Sequence, residues 1–228
     1  MKLYGFAVLA ALLLASCGKG NEPTPAPTAA AAPEMPVMGP ERRILALGDS
    51  LFAGYGVKPA ESYPAKLETA LRAHGVNARI ANAGVSGDTS ADGLTRLAFT
   101  LNSQPQAPDL VIISLGGNDM LRGLAPEQTK VNLDAIITEL TQRKIPVVLM
   151  GLLAPPNLGA DYRGKFDAIY PALAEKHHVS LVPFFLKAVF DKPDLIQQDH
   201  IHPTAHGIDE IVAATTYAVE GELTPRAN

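Results

Sequence analysis

A single cysteine among 228 residues leaves no material for an internal disulfide framework or a Cys-based zinc cluster. That residue, Cys17, follows an apolar N-terminal run directly, which also removes it as a nucleophile of the globular part. Basic excess is absent as well. Lys and Arg total 19 against 23 Asp and Glu, and no run of like charge forms a tail, so nucleic acid is not expected as a partner. The longest apolar stretch, Leu3 to Ala15, is too short to span a bilayer, and no internal repeat is present. What remains, 47% hydrophobic and 18% charged residues, is neither disordered nor collagen-like and suffices for one sizeable core.

Lys2 followed by the apolar stretch reads as an export signal. A secretory cleavage site wants small residues three and one before the cut, and Leu14 fails the first requirement. Leu14-Ala15-Ser16-Cys17 instead resembles the bacterial lipobox. That resemblance implies removal of residues 1–16, lipidation of Cys17, a membrane partner through the anchor, and a place in the bacterial cell envelope facing the periplasm or the exterior. Residues 17–40 are rich in Ala and in Pro (Pro23, Pro25, Pro27, Pro33, Pro36, Pro40), which favours extended chain and reads as a tether. Residues 41–228 are then the folded domain, expected as a monomer.

In that domain short apolar runs recur at Arg43–Gly48, Asn77–Ala83, Asp109–Leu115, Ile145–Leu152 and Val179–Phe184. Each has strand length. Helix-compatible segments alternate with them: Tyr63–His74, Ala91–Leu101, Glu127–Arg143, Tyr162–His177 and Thr204–Val219. Repeated strand–helix alternation means an α/β fold, a parallel sheet with helices on both faces. Ligands of such sheets bind beyond the carboxyl ends of the strands, which directs attention to the loops that start there.

The first of these loops holds Asp49-Ser50-Leu51 directly after Gly48. A serine just past a buried strand is where a nucleophile would be exposed, although Asp49 and Ser50 would serve equally as helix caps. Phe52 stands where the Gly-x-Ser-x-Gly elbow requires glycine, which argues against an α/β-hydrolase. Near the C-terminus, Asp199 precedes His202 by three residues, close enough to accept the Nδ1 proton and leave Nε2 free for a serine. Ser50, Asp199 and His202 are therefore candidate triad members. An acyl-transfer site also needs donors for an oxyanion, and the N–H of Ser50, the N–H of Gly87 and the amide of Asn118 suit that need. The alternative is that Gly87 and Gly116-Gly117 form ordinary turns and Asn118 a cap.

Four blocks in order, Ser50 in Gly-Asp-Ser-Leu, Gly87 in Ser-Gly-Asp-Thr, Asn118 in Gly-Gly-Asn-Asp and Asp199/His202 in Asp-x-x-His-Pro, resemble those of the SGNH (GDSL) hydrolases. The wording between them is similar to the thioesterase I/lysophospholipase/arylesterase branch. The resemblance implies a flavodoxin-like three-layer α/β/α sandwich with a five-stranded parallel sheet. It further implies Ser50 as nucleophile, Ser50, Gly87 and Asn118 as oxyanion donors, hydrolysis of small-molecule acyl esters and thioesters, and no metal or organic cofactor. Two departures stand out: His200 where this branch usually has glycine, and Pro156-Asn157-Leu158-Gly159 in place of a tyrosine often found before that glycine.

Other readings compete. His200, His202 and His206 with Asp199 have plausible metal-ligand spacing, but that reading leaves the serine and asparagine loops unexplained. A non-catalytic acyl-binding lipoprotein on the same scaffold is a further alternative. Met120, Leu121, Leu124, Leu153 and Leu158 offer apolar surface for an acyl chain, with Arg122 at the rim, unless they simply bury their own loops. In the latter case a short-chain carbohydrate or acetyl esterase is the better expectation. His74, His177 and His178 lie near helix ends and read as structural, and Asp88 and Asp119 as residues that pin loop backbone.

Overall fold

Five strands line up in the order β2-β1-β3-β4-β5, all parallel: β1 (Arg42–Gly48), β2 (Ala78–Gly84), β3 (Leu110–Ser114), β4 (Val147–Met150) and β5 (Ser180–Val182). This is a computed structural model that describes residues 37–223; the segment 1–16, Cys17 and most of the expected tether lie outside the described residues. The helices are α1 (Ser50–Ala53), α2 (Tyr63–Ala73), α3 (Ser90–Asn102), α4 (Gly117–Leu121), α5 (Pro126–Gln142), α6 (Ala160–Asp167), α7 (Ile169–His177) and α8 (Ala205–Leu223). The strand order is that of the flavodoxin-like doubly wound fold. α2 packs on α8, while α3 packs on α5 and α5 on α7, which gives the helical layers of the expected sandwich.

Burial explains why the strands read as continuous apolar runs. Ile44 to Leu47, Leu110 to Ile113 and Val147 to Met150 are buried, because β1, β3 and β4 are central and covered on both faces. The edge strands β2 and β5 are only half-buried. Strand limits agree with the sequence reading to within two residues. One expected helix is broken: Tyr162–His177 is two helices that meet at Ala168. Pro171 is the cause, since it has no N–H for the carbonyl of Asp167 and its ring crowds that carbonyl. The last helix outruns its expected end by one turn, to the buried Leu223.

The sheet register positions the site. Gly48 lies opposite Gly84 on one side and Ser114 on the other, so β1, β2 and β3 end on a common line. Ser50, Gly87 and Asn118 each leave that line within a few residues. α1 is held down by aromatic packing: Phe52 stacks on Tyr63 at 5.2 Å, and Phe185 meets both rings edge-on. Burying Phe52 contributes about 2 to 3 kcal/mol to a segment of only four helical residues. Gly84 is required beneath it, because a Cβ there would sit 2.3 Å from the backbone nitrogen of Ala53.

Candidate active site

Ser50 is the first residue of α1. Asp49 caps this short helix, its Oδ1 accepting the Leu51 N–H at 3.0 Å, and so fixes where the serine points. His202 reaches it from the far end of the chain, with Nε2 2.8 Å from Ser50 Oγ. The other ring nitrogen, Nδ1, lies 2.6 Å from Asp199 Oδ2. Asp199 Oδ1 accepts the backbone N–H groups of Ile201 at 2.9 Å and His202 at 3.0 Å, so one carboxylate orders both the turn and the ring. Desolvation raises the Asp199 carboxyl pKa, but the hydrogen bonds from the His202 side chain and from the two backbone N–H groups outweigh it, and the pKa falls to about 2. An ionised Asp199 holds a proton on Nδ1, which leaves Nε2 to accept from the serine hydroxyl.

The hairpin that carries His202 is pinned from three sides. Ile196 and Pro203 form an antiparallel bridge, and the Gln197 N–H donates to the His202 carbonyl at 2.7 Å. The Gln197 amide donates to Tyr55 O at 2.8 Å and to Pro203 O at 2.9 Å, which ties the hairpin to the turn after α1. The Tyr55 ring then lies 4.5 Å from the His202 ring, tilted by 32°. Between Asp199 and His202, the backbone turns through His200 at φ 60°. This is left-handed space, where glycine is at ease and histidine is tolerated, which accounts for the glycine expected there.

The His200–His202–His206 ligand set is not assembled. Both ring nitrogens of His202 are engaged by Ser50 and Asp199, and among the described residues no three His, Cys, Asp or Glu side chains come together as ligands.

Gly87 sits in a turn with φ 89°, and its carbonyl accepts from Arg122 Nη2 at 2.7 Å. Asn118, early in α4, donates from Nδ2 to the Asp88 carbonyl at 2.9 Å and stands 3.5 Å from Asp49 Oδ2. Asp49 is deeply buried. Burial, reinforced by the nearby carboxylates of Asp119 and Asp88 and only partly offset by backbone N–H bonds, lifts its carboxyl pKa to about 7. Asp119 is buried too and does pin backbone: it accepts the Ser90 N–H at 2.7 Å, the Ser90 hydroxyl at 2.5 Å and the Thr129 hydroxyl at 3.1 Å. Asp88 differs from expectation in pairing through its side chain with Arg96 at 2.6 Å.

The five apolar residues expected to hold an acyl chain separate into three groups. Leu121, the last residue of α4, is 55% exposed and Leu153, in the segment after β4, is 43% exposed, both beyond the carboxyl ends of the strands. Met120 and Leu158 are partly buried and packed against the core. Leu124 lines a depression with Ala91 and Val131 beside α3 and α5, and its carbonyl accepts from the Tyr162 hydroxyl at 3.0 Å. Its backbone thus helps to hold its own loop in place. Tyr55, Gln197 and Arg96 are contributors that no short motif singles out, because each acts on a partner distant in sequence.

A hydroxyl, an imidazole and a carboxylate joined in one hydrogen-bonded chain, at the carboxyl end of a flavodoxin-like sheet, define a serine hydrolase. The chain belongs to the GDSL-like lipase/acylhydrolase family, whose model matches residues 46–209. It is 43% identical over 161 residues, 71% of this chain and 80% of the relative, to an arylesterase of Vibrio mimicus. It is 41% identical over 160 residues, 70% of this chain and 74% of the relative, to thioesterase 1/protease 1/lysophospholipase L1 of Escherichia coli K12. Among solved structures it is similar to AlinE4, an SGNH-hydrolase family esterase, with 64% identity and a TM-score of 0.70 over 82% of this chain and 99% of that one. The protein is accordingly a serine hydrolase of carboxylic ester and thioester bonds.

Proposed function

We propose that Ser50, His202 and Asp199 carry this hydrolysis through a covalent acyl-Ser50 intermediate, with medium-length acyl esters and thioesters as preferred substrates. The observation that supports the assignment is the continuous chain from Ser50 Oγ through His202 to Asp199, with links of 2.8 and 2.6 Å. His202 Nε2 takes the hydroxyl proton as Ser50 Oγ bonds to the acyl carbon, and the carbonyl electrons move onto oxygen. The N–H groups of Ser50 and Gly87 and the Asn118 amide receive that oxyanion. Collapse expels the alcohol or thiol, which leaves with the proton from Nε2. Water then loses a proton to Nε2, attacks the acyl carbon, and releases the acid as Ser50 regains its proton.

Leu121, the last residue of α4, and Leu153, after β4, are exposed beyond the carboxyl ends of the strands, and apolar surface there favours a chain over a polar sugar, each buried methylene contributing about 0.8 kcal/mol. A p-nitrophenyl ester series tests this. For wild type kcat/KM is expected to rise from acetate towards medium chains, and Leu121→Ala to flatten that rise, with Leu158→Ala flattening it less because Leu158 packs on the core. Acetate as the best substrate would instead favour a short-chain aryl or carbohydrate esterase.

The lipobox-like Leu14-Ala15-Ser16-Cys17 supports a lipid-anchored enzyme in the bacterial envelope, with residues 17–40 as its tether. Wild type is expected in the membrane fraction, and Cys17→Ser is expected either to appear as soluble active enzyme or to stall as the precursor. Soluble wild type cut at another site would overturn the anchor.

A further inference from the structure

The candidate oxyanion donors come from three loops: Ser50 after β1, Gly87 after β2 and Asn118 after β3. Backbone bonds tie these segments only at the strand ends, Asp49 N–H to the Ser114 carbonyl at 3.2 Å and Val85 N–H to the Gly48 carbonyl at 3.0 Å, yet a hole of this kind works only when its donors are set within a few tenths of an ångström. Arg122 Nη2 ties the end of α4 to the Gly87 carbonyl at 2.7 Å, and a second side chain brings in the nucleophile segment. Arg96, in the second turn of α3, donates from Nη2 to the Gly48 carbonyl at 3.0 Å, and from Nε to Asp88 Oδ2 at 2.6 Å. The Gly48 peptide leads straight into Asp49 and Ser50, and its carbonyl also accepts the Val85 N–H at 3.0 Å. Asp88 follows Gly87, and its own carbonyl holds Asn118 Nδ2 at 2.9 Å. One planar fork thus touches the nucleophile loop, and through a single residue it reaches both the glycine turn and the asparagine amide.

We propose that Arg96 is a positioning residue of the oxyanion hole, setting the Asn118 amide relative to Ser50 through Asp88. The inference rests on the assignment of Asn118 as an oxyanion donor. Arg96 bonds to none of Ser50, Asp199 and His202 itself, so its influence is indirect. The pair is mostly covered, at 21% and 13% side-chain exposure for Arg96 and Asp88, so its geometry is held with little competition from water. Lysine cannot reproduce it, because a single ammonium does not reach two acceptors in the fixed geometry of a guanidinium fork.

The test compares Arg96→Gln, Arg96→Lys and Asp88→Asn with wild type on one p-nitrophenyl ester, each assayed well below its own Tm. A displaced donor predicts a fall in kcat of about ten- to a hundredfold for Arg96→Gln, with KM changed little. Arg96→Lys is expected to recover only part of that loss, and Asp88→Asn to fall between. The discriminating measurement is a cycle with Asn118→Ala: if Arg96 acts through that amide, Arg96→Gln costs at most about twofold once the amide is gone. Equal losses in both backgrounds, or a lowered Tm with kcat intact, would overturn the proposal and leave Arg96 a structural ion pair. If Arg96→Gln does not fold, Asp88→Asn in the same cycle carries the decision. Failure of the underlying assignment looks different, since Asn118→Ala alone would then leave kcat unchanged.

Discussion

Alanine at His202 is expected to lower kcat by on the order of 10⁴, and alanine at Ser50 to abolish both turnover and labelling by a fluorophosphonate, whose mass should otherwise appear on the peptide containing Ser50. His202 is the residue whose Nε2 meets the serine oxygen at 2.8 Å while Nδ1 meets Asp199 at 2.6 Å. Asp199→Asn should cost a similar factor, because an amide can present its NH2 group to Nδ1 and so favour the wrong tautomer. Asp199, with its carboxyl pKa held down to about 2, stays charged over any working pH, so loss of activity on acidification does not come from that carboxyl. Asp49, whose carboxyl is pushed up to about 7, differs because it is deeply buried, whereas hydrogen bonds from His202 and Ile201 outweigh desolvation at Asp199. The other two histidines of the cluster should be dispensable. His200→Gly suits the backbone at φ 60° and is expected to remain active, as is His206→Ala. EDTA should leave the rate unchanged, and loss of activity on chelation, or a fluorophosphonate adduct elsewhere, would sink the assignment.

The features legible in the sequence are those set by short-range chemistry. Buried strands announce themselves because Ile44 to Leu47 and Leu110 to Ile113 have no polar face to show, and the chemistry collects where such strands end. The Asp199–His202 pair is legible for the same reason, since three residues of separation suffice for one turn to close. Its meeting with Ser50 spans 152 positions, and only the ordered blocks point to it. Legibility fails where a contact depends on how elements pack. Tyr55 lies against His202 because the Gln197 amide ties two loops together, and Arg96 finds Gly48 across 48 positions. Neither residue type nor spacing marks such partners. Apolar residues near the strand ends are ambiguous in the same way: Leu121 and Leu124 are three positions apart, yet one is exposed and the other is half-buried, its carbonyl held by the Tyr162 hydroxyl. The break at Ala168 is legible by contrast, because Pro171 is visible in the sequence and a proline inside a helical pattern interrupts it near the preceding turn.

Removing the Asn118 amide should reduce kcat by about 10²- to 10³-fold while KM changes little. The reasoning begins with the two N–H bonds of Nδ2. One is committed to the Asp88 carbonyl at 2.9 Å, which fixes the plane of the amide. The other faces only a weak contact, 3.5 Å to Asp49 Oδ2, and so can turn to an oxyanion without first breaking a strong bond. A neutral ester carbonyl gains little from such a donor, whereas a full negative charge on oxygen gains a great deal in a site from which water is partly excluded, so the loss belongs to the transition state. Asn118→Asp sharpens the test. It keeps the shape but puts a carboxylate where a donor stood, close to the carboxyl groups of Asp49, Asp88 and Asp119, and should be at least as damaging as alanine. Because Asn118 lies early in α4, Tm must be measured beside the kinetics, and an intact Tm with a collapsed kcat is the expected combination. An increase in KM at constant kcat would assign Asn118 to substrate binding, and the oxyanion would then rest on the N–H groups of Ser50 and Gly87.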